Sequence, residues 1–237
     1  DEASCTYVQT NGQKCGACRK KCPKGCIDLD GHGDVMQVEV GSVIVATGYE
    51  TLDAARLDRY GYGVHPNVLT ALEFERLTNA SGPTGGRIVT KTLKHNKRKK
   101  VDEWVFDRDG APPKSVAIIH CVGSRDSNYN AYCSRVCCMY SLKHAHQIIE
   151  KIPGCIPYIF YMDIRSFGKM YEEFYYRIQD EGAKFIRGRV ANIIEDKKTK
   201  NLHVMTDDTL LDRPIDMEVD MVVLAAAIQP AADTNRT

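Results

Sequence analysis

From residue 114 onward the apolar positions switch between two periods. SVAII (115–119) and IPYIFYM (156–162) are short, nearly continuous apolar runs, which fit strands buried on both faces. SRVCCMYSLKHAHQIIEKI (134–152) and KMYEEFYYRIQDEG (169–182) instead space their apolar residues three and four apart, as helices do. KFIRG (184–188) closes the series as a third strand. The order predicts a βαβαβ unit, hence a parallel sheet with right-handed crossovers. RVANIIED (189–196) and NLHVMTDD (201–208) predict a hairpin turning around KKTKN, and VDMVVLAAAIQP (219–230) predicts one more buried strand.

Upstream, VGSVIVATGYE (40–50) predicts a continuous apolar strand that ends at Thr47-Gly48. Because both SVIVA and MVVLA are apolar on both faces, both are expected inside a sheet. TALEFERLTNA (70–80) has helical spacing and stops at SGPTGG (81–86). KTLKHNKRKK (91–100) predicts a solvated basic loop, since no aromatic residues interleave its charges as nucleic-acid binding would favour. Residues 1–35 are short of large apolar side chains and dense in Cys, Gly and Lys. Such a segment cannot fold on a hydrophobic core and needs a staple.

Composition sharpens this picture in two ways. The 237 residues are 27% charged and 43% hydrophobic, which fits one large domain or two small ones. A net charge of +1 gives no global field for nucleic acid or membrane. No apolar run approaches the ~20 residues that span a bilayer, and no signal peptide is recognisable. The expectation is a cytoplasmic protein that meets a membrane only through a partner.

The ten cysteines change the picture most. Cys5, Cys15, Cys18, Cys22 and Cys26 form one group, Cys121, Cys133, Cys137 and Cys138 another, and Cys155 stands alone. Clustering of this kind points to metal ligation rather than to a disulfide framework. Cys15-x2-Cys18-x3-Cys22-Pro23 is the tail of a bacterial ferredoxin run, and Gly12 occupies the place of its usual first cysteine. Cys5 is the expected substitute. CxxC also ligates zinc, so a zinc ribbon is the bland alternative, but the Cys-Pro ending and the lack of a second CxxC favour iron–sulfur. If Cys22 follows the two-cluster pattern it serves a second cluster; Cys26 reads as a buried spare thiol.

The second group is no ferredoxin run. Cys121 ends a strand, and Cys133, Cys137 and Cys138 straddle the start of the next helix, with Cys133 and Cys137 on one face if the helix has begun by then. A helix N-terminus favours anionic groups, thiolates included. In a nucleotide-binding fold this turn would be glycine-rich and would cradle phosphate. No GxGxxG follows any strand here. The turn therefore reads as converted from nucleotide binding to holding a cluster, against the alternative of four buried reduced cysteines.

HCVGSRD…YCSRVCCMYSLKHA, FYMDIRSFGKMYEEFY and VGSVIVATGYE resemble the HdrA-like family, the flavoproteins of heterodisulfide reductase together with the flavoprotein subunits of quinone-interacting membrane-bound oxidoreductase. The resemblance covers nearly the whole chain but only the later part of the family's sequence. It implies an α/β, thioredoxin-reductase-like flavoprotein fold, here partial, with a ferredoxin-like insert. It divides the chain into a ferredoxin-like segment (1–35), the C-terminal part of an FAD domain (36–86), a basic insertion loop (87–113) and a Rossmann subdomain with a non-ferredoxin cluster (114–237). It implies [4Fe–4S] ligands at Cys5, Cys15, Cys18 and Cys22 and at Cys121, Cys133, Cys137 and Cys138. It also places FAD near Thr47, Gly48, Lys143 and Glu75, with Glu73 close enough to compete with Glu75.

The family's FAD-phosphate loop and first ferredoxin run have no counterpart in these residues, so the expectation is a fragment or half of a split flavoprotein. Expressed alone, it should be insoluble or flavin-free. The function expected is electron transfer between FAD and clusters, with other redox subunits as partners. The alternatives are an NAD(P)H-dependent flavin disulfide reductase and a zinc-stabilised scaffold.

Overall fold

The computed structural model describes residues 3–31, 36–232 and 234, and the chain divides into two compact units, 1–46 and 47–237. The first unit holds two short helices, α1 (Thr6–Gln9) and α2 (Ala17–Lys21), neither of which buries a residue. Polar contacts tie its loops instead. Tyr7 donates to Asp30 Oδ1 at 2.5 Å, Arg19 donates to Asp30 Oδ2 at 2.7 Å, and the Arg19 guanidinium lies 5.4 Å from the centre of the Tyr7 ring.

The strand expected over 40–50 does not form. Residues 36–48 have no regular structure, and Val43, Ile44 and Val45 are 77%, 90% and 74% exposed. The reason is physical: a strand needs a neighbour for its N–H and C=O groups, and no described strand pairs with this segment.

The second unit begins with β1 (Tyr49–Thr51), followed by two single 3₁₀ turns, then β2 (Val68–Thr70) and α3 (Ala71–Thr78). Thr70 caps α3 through a capping box, in which its hydroxyl accepts from Glu73 N and the Glu73 carboxylate accepts from Thr70 N. The basic segment is not a loop: β3 (Lys91–Asn96) and β4 (Val101–Phe106) pair as an antiparallel hairpin. Its charges are met across the strands, His95 by Asp102 at 2.8 Å and Lys94 by Asp107.

The βαβαβ unit follows as expected: β5 (Ser115–Val122), α4 (Cys137–Lys151), β6 (Ile156–Tyr161), α5 (Tyr171–Asp180) and β7 (Lys184–Arg187). The predicted hairpin is β8 (Asn192–Glu195) and β9 (Leu202–Asp208), extended by an unforeseen third strand, β10 (Arg213–Val219). β11 (Met221–Ala226) and β12 (Ile228–Pro230) complete the unit.

Five strands form a parallel sheet in the order β2-β11-β5-β6-β7. β11 is buried at every position, as MVVLA predicted. Helices cover one face, where Leu69, Ile118, Ile159 and Val223 meet Phe74, Leu142 and Ile178. The β8–β10 sheet covers the other, where Ala117, Ile119, Phe160 and Leu224 pack with Val190, Leu202 and Val204. Strand alternation does the sorting, because successive residues of β5 point to opposite layers.

Candidate functional site

The chain leaves β5 toward β6 and β7 on one side, while β11 and β2 flank β5 on the other. The carboxyl end of β5 is thus the switch point of the sheet, where open α/β folds leave a crevice for ligands. The cysteine turn starts there. Cys121 is 9% exposed and sits at φ +55°, one residue before the end of β5, where the pairing with β11 shifts register.

The turn that follows is held from several sides. Arg125 N donates to Tyr132 O at 2.9 Å and Asn130 N to Gly123 O at 3.1 Å. Ile228 N donates to the Ser134 hydroxyl at 2.9 Å, and the Tyr132 hydroxyl to Ile228 O at 3.0 Å, so β12 pins the stretch that carries Cys133. Buried Asp126 accepts from Arg189, with Arg59 3.8 Å away. Helix α4 begins only at Cys137. Cys133 therefore precedes the helix and shares no helical face with Cys137, which corrects the alternative left open by the spacing. Arg135, at φ +76°, makes the turn between them, and its N–H points at Cys133 Sγ at 3.3 Å.

The four thiols of this group lie within electrostatic reach of one another. Burial pushes the Cys138 thiol up to about 11, and repulsion from Cys121, Cys137 and Cys133 adds to the rise. Burial likewise raises Cys137, which feels Cys121 and Cys133. Burial raises Cys121 too, opposed by the Arg125 guanidinium, which also forms a 2.7 Å ion pair with Asp163. Among the described residues no three Cys, His, Asp or Glu side chains gather as around a single metal ion. A cubane cluster offers a separate iron to each thiolate, so its ligands stand wider apart than those of one ion. Buried Cys121, Cys137 and Cys138 and the half-buried Cys133, with guanidinium and backbone donors near them, are the residues that could hold such a group.

Beside the turn, at the carboxyl ends of β2 and β11, lies a cleft of about 190 Å³ walled by Tyr49, Thr51, Ala71, Glu75, Tyr140, Lys143 and His144. α3 contributes Glu75 and α4 contributes Lys143 and His144. Lys143 forms an ion pair with Glu75 Oε2, and His144 Nε2 lies 2.8 Å from the same oxygen. Burial raises the Glu75 carboxyl, but hydrogen bonds from Lys143 and His144 outweigh it and hold the group below its usual range. Glu75 is thus the glutamate that meets Lys143, while Glu73 is committed to capping α3. The volume falls short of the roughly 300–1,000 Å³ of whole cofactor pockets. The cleft therefore suits an edge of a flat ring system such as a flavin, and no phosphate-binding glycine loop accompanies it.

Gly48, at φ +80°, lies beside Cys133 and Arg135 in a second cleft, of about 480 Å³. Thr47 lines neither cleft. In the first unit, Cys5 precedes α1, and Cys15, Cys18 and Cys26 are exposed. Cys26 is thus not the buried thiol expected; its Sγ lies 3.5 Å from that of Cys22. Backbone N–H groups of Ala17 and Gly16 lower the Cys15 thiol, and those of Cys26 and Lys24 lower that of Cys22. Gly12 has a reason not to be cysteine: at φ +78°, its Cβ would lie 3.2 Å from the Tyr7 ring.

The sequence reading missed His144, which is 2% exposed. The signal was present, since Cys137, Ser141 and His144 recur at helical spacing on the face that α4 buries.

No family model matches the chain. Curated relatives do. It is 46% identical over 222 residues to the CoB–CoM heterodisulfide reductase iron-sulfur protein HdrA of Methanocaldococcus jannaschii, covering 93% of this chain and 31% of that protein. It is 48% identical over 206 residues to the corresponding iron-sulfur protein of the same enzyme in Methanopyrus kandleri, covering 86% and 29%. To the corresponding component of the ferredoxin:CoB–CoM heterodisulfide reductase of Methanosarcina mazei it is 40% identical, covering 92% and 25%. The chain spans under a third of the length of these relatives. The resemblance carried by its motifs is thus borne out. Among solved structures it is similar to the thioredoxin reductase of T. acidophilum (TM-score 0.35, 15% identity, 52% of this chain and 33% of that one). It is also similar to L-lysine 6-monooxygenase from Pseudomonas syringae (TM-score 0.41, 9% identity, 72% and 43%).

Proposed function

For a chain related over most of its length to HdrA proteins of heterodisulfide reductase, we propose electron transfer between FAD and [4Fe–4S] clusters, as part of an oxidoreductase complex of that type. The observation that carries this reading is the placing of Cys121, Cys133, Cys137 and Cys138 within electrostatic reach of one another at the switch point of the sheet, beside the cleft of Glu75 and Lys143. When bound, the clusters supply one-electron transfer and the flavin exchanges one or two electrons.

The residues position and tune. The four thiolates of the cysteine turn hold one cluster, and Arg125 and the Arg135 N–H supply the positive surroundings that favour added negative charge. Cys5, Cys15, Cys18 and Cys22 hold a ferredoxin-type cluster, with the N–H groups around Cys15 and Cys22 aimed at sulfur. Tyr49, Ala71 and Tyr140 exclude water from one edge of the flavin, and Lys143 offsets the charge that reduction places on it. Thr47 and Gly48 belong to the stretch that leads into β1, where Gly48 borders the second cleft. No side chain needs to act as acid, base or nucleophile.

Partners follow from the same reading. Other redox subunits take and deliver the electrons, and any membrane contact comes through them; among the described residues no helix is long and apolar enough to cross a membrane. The chain works in the cytoplasm. A flavin disulfide reductase using NAD(P)H would need a redox CxxC and a nucleotide phosphate loop; the sole CxxC is Cys15–Cys18, in the ferredoxin-like run.

Anaerobic purification tests the reading. Iron and acid-labile sulfide should be near-equal, with broad absorbance near ~400 nm. Stoichiometric zinc without iron would sink it.

A further inference from the structure

His144 is 2% exposed, yet its Nδ1 has no hydrogen-bond partner. The ring cannot turn to find one. It packs edge-on to Phe74 with centroids 5.0 Å apart and beside Tyr140 at 5.8 Å, while Nε2 faces Glu75 Oε2 at 2.8 Å. A carboxylate only accepts, so the proton of the neutral ring sits on Nε2. Lys143 and His144 both reach Oε2 of Glu75. One oxygen is therefore clamped by two donors from adjacent positions of α4.

We propose that His144 is a positioning residue of the cleft: its Nε2–H fixes the Glu75 carboxylate, and Glu75 in turn holds the Lys143 ammonium where a bound flavin edge would meet it. Deepening the flavin reading, the inference rests on it. The groups facing the ring are Glu75 from α3 and Lys143 and Tyr140 from α4; Tyr49 of β1 shares the cleft. Burial pushes His144 down to about 4, so the ring stays a neutral donor while Glu75 is ionised. Removing the Nε2–H takes from Glu75 one of the two donors that offset its burial, so the carboxyl will hold its proton to higher pH. Once protonated, Glu75 leaves the Lys143 charge uncompensated, which favours an electron-rich group in the cleft.

The test uses the full protein carrying its flavin. The flavin midpoint potential is followed against pH in wild type, His144→Leu and His144→Gln, and ¹⁵N spectra report the His144 ring in wild type. In His144→Leu, the break in the profile that Glu75→Gln abolishes moves to higher pH. In His144→Gln, whose amide N–H can still donate, it returns toward wild type. The ring reads as neutral and protonated on Nε2. An unmoved break in His144→Leu, a glutamine variant no different from leucine, or a ring protonated on Nδ1 overturns the proposal and leaves the flavin reading standing. A wild-type protein without flavin overturns both, and shows itself before any histidine is changed.

Discussion

Lys143 of α4 and Glu75 of α3 meet in an ion pair across 68 positions of sequence, in the cleft by the carboxyl ends of β2 and β11. Each is just over 40% exposed at its side chain, so the pair lies in the mouth of the cleft and not in the core. Its stabilising value is small, about 0–1 kcal/mol for so exposed a pair. Its position is what gives it consequence.

Lys143→Ala removes the cation from the cleft. The flavin potential should fall, by the equivalent of about 1 kcal/mol at this exposure, while iron and sulfide stay unchanged. Potentiometry with parallel iron analysis checks this, and an unmoved potential takes Lys143 out of the site.

The two neighbouring glutamates should part company on substitution. Glu73→Ala and Thr70→Ala break the capping box and cost ~1 kcal/mol of stability. Glu75→Gln should leave the unfolding midpoint near wild type and change the pH dependence of the flavin potential. Denaturant melts set beside potentials separate the roles; a Glu73 variant that shifts the potential as Glu75→Gln does would contradict the assignment.

Stability should fall in two steps on acidification. Burial holds His144 and His120 neutral in the fold, so the unfolded chain gains their protons first, below the usual value near 6.5, and stability declines until about pH 4. Each histidine contributes at most roughly 3 kcal/mol to the drop. Asp126, held low by the Asn128 N–H and then by Arg189, contributes stability above the ordinary carboxylate range, which is lost as pH falls through its depressed value. His144→Phe should shrink the first step to the share that His120 carries, and Asp126→Asn should flatten the second, read from thermal melts across pH.

Gly123, at φ +73° in the cysteine turn, leaves no room for a side chain, because a Cβ would lie 2.0 Å from Leu52 Cδ2. Gly123→Ala should cost about 1–3 kcal/mol, combining a left-handed backbone with overpacking, and should lower iron content by moving Cys121. Full iron with an unchanged melt would show that Leu52 yields.

In the first unit, Cys22 and Cys26 are placed to oxidise together. After iron is removed, mild oxidation should link this pair, while Cys155, buried and pushed up to about 12, stays a thiol. Peptide mapping checks it; a Cys22–Cys18 link instead would contradict the geometry.

Local pattern alone determined much of this protein. SVAII, IPYIFYM and MVVLA are apolar on both faces and can only be inner strands, and the helices between them follow from spacing of three and four. The grouping of the cysteines, and the absence of a glycine loop after β5, marked that turn for something other than phosphate. SVIVA carries the same pattern and yet forms no strand, because pattern states what a segment can bury and not whether a neighbour is there to pair with it. The basic hairpin was hidden for a similar reason: its charges are matched only across strands. Tertiary structure alone decided which glutamate faces Lys143, since Glu73 and Glu75 differ by two positions and only the cap at Thr70 claims one of them. It also decided that α4 starts at Cys137, and that a histidine on its buried face meets Glu75. Those outcomes depend on how α3 and α4 are set against the sheet, and spacing along a single chain does not contain that arrangement.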